Sequence, residues 1–582
     1  MELGTAHPGG RFVRLPTYPW DRVRHWVHDG PIAWPDDGNT QERWVHRLDW
    51  IEDVEPPRPA AGPQAWSIVA DRGGVGRALA TLLARRGDEV AVSDPDEAET
   101  LAGAHPDRRF VDLSALDARD PPDGSTAGRA LRTARALARS AHPGRLWFVT
   151  RGAQAVEGAP SATAPAQAPL WGLGRTIALE LPDLWGGLVD LDPDSGPDVS
   201  EILAAIEAGA DGGETEFALR RGHRLVPRLV PATLPADSFR VRPGTSWLVT
   251  GGSGELGRRV VRWLVEQGAT RVVLLDRRAP ADDVRRELAG LSGAIVFETG
   301  DAARSEDVAA VVDRIERGDQ PLAGVLHLAG SLADGVLIDQ DVERLERALR
   351  PKLAGAWNLH VATRHLALDA FALFGSAASV IGSPGQSNYA AANAVLEALA
   401  RRRRAEGLPA TAIHWGPWDG VGMSTRVPPG AFRGVRLLPP ALGLELLGRL
   451  LAGDSPSAAV LAMGPVEGRG VRVPSPLRSL VGAPPRIEPE QASGTELARR
   501  LASLGDGEAR AVLATTIEGE ASRLLGLPSG EAFDRSRRFF EAGMDSLRMV
   551  ELRNRLRSIL GDVLSPTAPF DHPTVDRLAD HL

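Results

Sequence analysis

Of the 67 basic side chains in this 582-residue chain, one is a lysine, Lys352; every other is an arginine. Tyrosine occurs twice, at Tyr18 and Tyr389. Codon bias accounts for such scarcity as readily as function does, so the neighbourhood decides. A guanidinium can replace an ammonium where only charge matters, but not where a compact cation must sit against a phenol or a cofactor hydroxyl. Lys352 has Ser376 and Tyr389 downstream and a glycine-rich turn upstream. These side chains suit the reduction of a ketone. Hydride addition leaves an alkoxide that needs a proton, and a phenol of pKa about 10 is a poor donor unless a cation lowers it. Lys352 could do that while holding a nicotinamide ribose, and Ser376 could keep the carbonyl in line. Asn393, four residues after Tyr389 on one helical face, could support Lys352 or a relay water.

Such a site needs a dinucleotide fold, and the chain contains two openings of one. WSIVADRGGVGRALATLLARRGDEVAVSD (66–94) repeats in WLVTGGSGELGRRVVRWLVEQGATRVVLLD (247–276): strand, glycine-rich turn, helix, and a second strand ending in Asp. In the second copy Thr250, Gly251, Gly252, Ser253, Gly254, Leu256 and Gly257 follow the strand and open the helix. Glycines there let the backbone approach a pyrophosphate, and the helix N-terminus favours its charge. Asp276 stands where a carboxylate accepts from a ribose 2′-hydroxyl, but Arg277 and Arg278 follow, and a guanidinium suits a 2′-phosphate. NADPH is therefore expected. Asp301, after the third strand, could bind the adenine amino group, and Ala329 and Gly330 end the fourth strand. The first copy has Gly73, Gly74 and Gly76 in a shorter turn and no Lys–Ser–Tyr set, so it reads as a structural duplicate without cofactor.

Composition bounds the rest. Hydrophobic content of 43% and charged content of 25% describe a globular chain of several domains. A net charge of −9 gives no nucleic-acid signature. The absence of cysteine removes disulfides and thiolate chemistry, and fits a cytoplasmic setting. No apolar run suggests a membrane span, MELGTAHPGGRFVRLP is no signal peptide, and the scattered histidines predict no metal site. LPTYPWDRVRHW (15–26) reads as an extended strap. Pro-rich breaks fall at 229–244 and 475–494, and 495–582 keep helical periodicity.

The Lys352, Ser376, Tyr389-Ala-Ala-Ala-Asn393 pattern resembles short-chain dehydrogenase/reductases, and more narrowly the ketoreductase domains of modular type I polyketide synthases. Those carry Tyr-x-x-x-Asn, with the Lys moved upstream. The spacings of 24 residues from Lys352 to Ser376 and 13 from Ser376 to Tyr389 match that family. So do Trp171-Gly172-Leu173-Gly174-Arg175, Trp415-Gly416-Pro417-Trp418 and the preceding non-catalytic repeat. GPWDGVGMSTRVPPGAFRG (416–434) resembles its substrate lid. The family's B-type members carry Leu-Asp-Asp where this chain has Leu332-Ala333-Asp334, and A-type members carry a Trp where it has Ile381. That implies B-type entry and a D-hydroxyl, although Asp334 could instead cap the next helix. Ala391 replaces the Pro of epimerising members, which implies no epimerisation.

Gly543-Met544-Asp545-Ser546-Leu547 resembles the Asp-Ser-Leu motif of acyl carrier proteins, whose Ser carries 4′-phosphopantetheine; a Ser there could otherwise be an N-cap. Arg548, Arg553 and Arg555 give the carrier a basic face, with solvation the default and docking the alternative. The resemblances imply an α/β fold class: two tandem Rossmann-like doubly wound parallel-sheet subdomains, the first degenerate, then a small all-α four-helix carrier bundle. Expected boundaries are 1–40 for a post-acyltransferase-like strap, 41–240 and 241–470 for the non-catalytic and catalytic subdomains, 471–494 for a linker and 495–582 for the carrier. The implied activity is NADPH-dependent reduction of a β-ketoacyl thioester tethered to Ser546. Implied partners are an upstream ketosynthase and acyltransferase, a phosphopantetheinyl transferase, and a downstream module or thioesterase, with neither nucleic acid nor membrane. The chain is expected to be the C-terminal part of a module or to work with partner chains. Alternatives are a reductase of small free alcohols and a carrier scaffold with an inactive reductase.

Overall fold

A computed structural model describes residues 44–582 except 54–61, 141–142, 157–163, 197, 210–212, 292, 424–434, 464–472, 482–496, 498–499, 502, 526–532, 545, 561–563 and 565–567. The expected strap, most of the linker and most of the lid therefore lie outside the described residues.

Fifteen strands form one continuous sheet. They are β1 (Val45–Glu52), β2 (Ala65–Val69), β3 (Glu89–Ser93), β4 (Arg109–Asp112), β5 (Leu146–Arg151), β6 (Trp185–Leu191), β7 (Glu216–Arg220) and β8 (His223–Pro231). The second half adds β9 (Ser246–Thr250), β10 (Arg271–Asp276), β11 (Ala294–Thr299), β12 (Leu322–His327), β13 (Ala370–Ser376), β14 (Thr411–Trp415) and β15 (Ser457–Val460). The catalytic half runs β11-β10-β9-β12-β13-β14-β15, all parallel, with apolar strands covered on both faces. The first half runs β3-β2-β4-β5-β6-β7, also parallel. Antiparallel β8 and β1 join the halves: β1 pairs with β8 on one side and with β15 on the other.

The first half lacks the outer strand that β11 supplies in the second. Residues 94–108, between β3 and β4, leave no room for another strand and crossover, whereas 277–321 hold both. The halves nevertheless share a core. Trp171, Leu173 and Ile177 from helix α2 (Pro169–Glu180; helix α1 is Val75–Arg86) pack with Leu345, Leu349 and Leu353 and with Ala391 and Val395 of the catalytic half. Those last residues lie on helices α4 (Val342–Thr363) and α5 (Ser387–Ala405), while helix α3 (Glu255–Glu266) follows the second glycine-rich turn.

The C-terminal helices α6 (Asp506–Leu525), α7 (Ser546–Leu560), a short turn of helix at Ala568–Asp571, and α8 (Val575–His581) enclose a separate apolar core. It contains Ile517, Ala521, Phe539, Met549, Leu552, Leu556 and Leu578. No described helix is long and apolar enough to cross a membrane.

Candidate active site

A cavity of about 890 Å³ opens at the carboxyl ends of β9, β10, β12 and β13, the crevice where doubly wound sheets take ligands. Lys352, Ser376 and Tyr389 all line it, as do Gly251, Gly254, Leu256, Gly257, Arg277, Asp301, Ala329 and Gly330. Leu332 and Ile381 lie on the same wall.

The glycine-rich turn is built for close backbone approach. Gly251 has φ +74°, and a Cβ at Gly257 would lie 2.3 Å from the Gly251 oxygen. The remaining expected cofactor contacts serve the turn itself. Thr250 is buried with its hydroxyl on His327, and Gly252 packs on Leu274. Ser253 donates from its N–H (3.0 Å) and its hydroxyl (2.6 Å) to Asp276 Oδ2. Asp276 thus braces the turn, while Arg277 is exposed with no ion-pair partner among the described residues. Asp301 accepts from the Ala303 N–H (3.0 Å) and faces Arg350 at 3.3 Å, so its carboxylate is already engaged by the protein. A cradle that only glycine fits, with a guanidinium unpaired among the described residues at its rim, fits a nicotinamide dinucleotide.

In the first repeat the corresponding amides serve the protein's own carboxylates. Gly76 N–H donates to Asp71 Oδ1 at 2.8 Å, and Arg72 N–H donates to both oxygens of Asp117 at 3.0 and 3.1 Å. Asp71 is buried in the turn where a pyrophosphate would need to lie.

A chain of contacts fixes Lys352. Thr250 donates its hydroxyl to His327 Nδ1 (2.7 Å), and His327 Nε2–H donates to the Pro351 carbonyl (3.0 Å). The carbonyl can only accept, which sets the tautomer. Burial and the Lys352 charge hold His327 at about 3, so it stays neutral. Pro351 interrupts the α4 hydrogen-bond ladder and frees the Arg347 carbonyl, which accepts from the Ser331 hydroxyl at 2.6 Å. Lys352 itself is 3% exposed, donates to the Phe374 carbonyl at 2.5 Å, and is pulled by burial to about 7.

Tyr389 departs from expectation. Burial pushes its phenol above the ordinary value, opposed by hydrogen bonding from Asn393 and Ser376 and reinforced by the Asp334 charge. The lowering expected from Lys352 is not met in this arrangement, because desolvation acts on both groups and the ammonium is directed at a backbone carbonyl. Asn393 is fully buried, donates to the Tyr389 carbonyl (2.8 Å), and leaves Oδ1 without a partner among the described residues. That orphan acceptor suits a relay water.

Asp334 does not cap the next helix; Asp341 does, accepting from Arg344 N–H at 2.8 Å. Asp334 accepts from Gln386 Nε2 (3.1 Å), three residues before Tyr389, and burial raises its carboxyl above the usual range.

Helix α2 of the non-catalytic half forms the back of the site, which the repeat pattern alone did not reveal. Gly172 lets it touch α5: a Cβ there would lie 2.1 Å from the Ala390 oxygen. Arg175, paired with buried Glu216 at 2.8 Å, donates to the Ser379 carbonyl at 2.7 Å. Glu180 accepts from Leu337 N–H (2.6 Å) and Gly385 N–H (2.7 Å), joining the Asp334 and Gln386 segments. Its carboxyl is raised by burial to about 7 despite those bonds. The adjacent Trp-Gly-x-Gly-Arg block was the available signal.

Ser546 begins α7, but its side chain and Asp545 lie outside the described residues. Arg548 donates to the Gly543 carbonyl at 2.9 Å, and Arg555 pairs with Glu551 at 3.0 Å. Arg553 is not solvated as the default reading expects: it is 1% exposed and reaches the Glu180 carbonyl.

Three family models match the chain: a KR domain over residues 245–420, the Rossmann-fold domain of polyketide synthase extender module SpnB over 48–229, and a phosphopantetheine attachment site over 515–582. Polyketide synthase GfsA of Streptomyces halstedii is 36% identical over 93% of this chain and 8% of its own length. Erythronolide synthase EryA3 of Saccharopolyspora erythraea is 35% identical over 100% of this chain and 18% of its own. The chain thus spans less than a fifth of these relatives. A solved A-type ketoreductase from a modular polyketide synthase superposes with TM-score 0.64 at 34% identity, covering 73% of this chain and 94% of that one.

Proposed function

Since this chain belongs to the ketoreductases of modular polyketide synthases, short-chain reductases here joined to a phosphopantetheine-bearing carrier, we propose that it uses NADPH to reduce a β-ketoacyl thioester held on Ser546, with B-type selectivity and without epimerisation. The observation that carries this reading is the convergence of Lys352, Ser376 and Tyr389 on one cavity with the second glycine-rich turn.

When bound, the dinucleotide supplies the hydride. The chain's own residues do the rest. The turn at Gly251–Gly257 and the N-terminus of α3 would hold its pyrophosphate, and Arg277 would pair with the 2′-phosphate. Asp301 would border the adenine, and Ala329 and Gly330 would let the backbone approach the nicotinamide side; Gly330 lies against Lys352 Cε. Lys352 holds the ribose, Ser376 donates to the ketone oxygen, and Tyr389 delivers its phenolic proton as the alkoxide forms. Asn393 Oδ1 positions the water that returns a proton to Tyr389.

B-type selectivity rests on Leu332 and Ile381 at the cavity wall and on Asp334 bonded to Gln386 beside Tyr389. The likeness to A-type structures is one of backbone over 73% of this chain, whereas facial choice depends on a few side chains at the entrance. We divide the chain at 41–240, 241–470 and 495–582, in keeping with the segments that the family models match. An acyl thioester and other synthase domains are its partners; a ketosynthase, an acyltransferase, a transferase that loads Ser546, and a downstream module or thioesterase are those we propose, in a cytoplasmic setting.

Incubation of the purified chain with NADPH and a diketide thioester, followed by chiral chromatography, tests both parts. A D-hydroxy product is expected. An L-hydroxy product ends the B-type assignment, and no NADPH oxidation by folded protein ends the reductase reading.

A further inference from the structure

Burying a guanidinium is costly unless it is hydrogen-bonded, so a buried arginine on a carrier's outer helix marks an interface. Arg553 is such a residue. It lies two turns after Ser546 on α7, 1% exposed. Asn554 Oδ1 accepts from its Nε at 3.0 Å and fixes the plane of the fork. Its Nη2 donates to the Glu180 carbonyl at 2.8 Å, at the C-terminal end of α2 where helix carbonyls lack partners and the dipole is negative. One turn further along α7, Arg557 forms an ion pair with Asp183. Desolvation lowers Arg553 to about 10, with the Glu180 charge acting in the opposite sense.

We infer that the end of α2, residues Glu180–Asp183, is the surface on which the fused carrier seats α7 to present its thioester for reduction. The occupant is this chain's own carrier. It supplies both cations, spaced one turn apart on α7, and they meet the last carbonyl of α2 and the Asp183 carboxylate just beyond the helix end. The surface also lies directly behind the entrance. The Glu180 side chain holds Leu337 and Gly385, and the Gly335 N–H donates to the Gly385 carbonyl at 2.8 Å, so the two segments bearing Asp334 and Gln386 are tied to the residue on which Arg553 rests. A seated carrier therefore bears on the element that shapes substrate entry. The tether already keeps the carrier at about millimolar effective concentration, so a contact of this modest size is enough to orient the arm. The non-catalytic half thereby gains a role as the carrier's landing site.

This inference rests on the ketoreductase reading, and the test separates the two. The full chain is loaded on Ser546 from acetoacetyl-coenzyme A by a phosphopantetheinyl transferase, which transfers the acetoacetyl-phosphopantetheine and releases the adenosine bisphosphate. Single-turnover reduction with NADPH is followed by the two-dalton mass gain of the carrier. The free N-acetylcysteamine thioester of acetoacetate, which needs no docking, is assayed in parallel. Arg557→Asp and Arg553→Ala should each slow tethered reduction roughly tenfold, the worth of one charge-assisted bond, while free-thioester turnover stays within twofold. Transferase loading of each variant reports that the carrier is folded. Pairing Arg557→Asp with Asp183→Arg should restore the tethered rate. Unchanged or faster tethered reduction in the single variants overturns the docking surface. Wild-type protein that reduces neither substrate overturns the underlying reading instead.

Discussion

Gly172→Ala isolates the contact through which the non-catalytic half shapes the active site. The new Cβ would lie 2.1 Å from the Ala390 oxygen, 2.3 Å from the Ala390 carbonyl carbon and 2.6 Å from the Ala391 nitrogen, all backbone atoms of α5. No rotamer relieves that, so α2 and α5 must separate by about 1.3 Å to bring the 2.1 Å approach to the 3.4 Å of ordinary contact. Overpacking of this kind costs roughly 3 kcal/mol at its upper end, offset by about 1 kcal/mol of improved helix propensity, leaving a net loss of about 2 kcal/mol. The displaced residues directly follow Tyr389. A shift of about 1 Å in a reacting group costs about a hundredfold in rate, so kcat for a free thioester should fall by that order while the protein remains folded. Gly174→Ala is the control. Its Cβ would meet the Trp185 ring at 2.5 Å and Leu188 at 3.0 Å, both within the non-catalytic half. It should lower the melting temperature comparably and change kcat by less than about threefold. Equal losses of kcat in the two variants, or wild-type kcat in Gly172→Ala, would refute the claim that α2 positions Tyr389 through this contact.

Three further outcomes follow from the charges. Lys352 has a folded pKa of about 7 against 10.5 in the unfolded chain, so above pH 7 the unfolded state holds more protons and stability rises with pH. Relative to Lys352→Met, the cofactor-free wild type should gain about 2–3 kcal/mol between pH 7 and 9 in denaturant titrations; a constant difference refutes the lowering of the Lys352 pKa by burial. Glu180 is shifted the other way, from 4.5 to about 7, so its contribution to stability falls as pH rises across that window; Glu180→Gln should gain on wild type between pH 5 and 7, and parallel pH profiles would contradict this. Arg277→Ala should raise KM for NADPH at least tenfold and leave KM for NADH nearly unchanged; equal effects on both would remove Arg277 from the 2′-phosphate site.

The catalytic half was legible because its signals are local. A glycine turn between a strand and a helix, and Lys, Ser and Tyr at set spacings, need no knowledge of distant packing to be read. The repeat at 66–94 was equally visible, but its place in one sheet was not: β1 joins the halves by pairing with β8 and with β15, a partner more than 400 residues away. The sequence leaves Asp276 and Arg277 as rivals for the ribose; only the fold brings Ser253 onto the Asp276 carboxylate, while Arg277 has no ion-pair partner among the described residues.

The same distinction explains Arg553 and the phenol. On a helical wheel Arg553 is one of several cations on a polar face, and nothing in its own segment marks it out from Arg548 or Arg555. Its burial comes from a helix end 373 residues earlier. Tyr389 and Lys352 form a pair by sequence spacing, yet the sign of each shift depends on how completely the site is desolvated, a property of the whole cavity. A pair tuned by direct Coulomb attraction would hold the ammonium high and the phenol low. Here burial moves Lys352 down and Tyr389 up, so both groups rest near neutrality of charge. The polar acceptors around them, the Phe374 carbonyl and Asn393 Oδ1, then control where a proton can reside. The chemistry is written in a few spaced residues, but its energetics are set by the non-catalytic half that seals α5 in place.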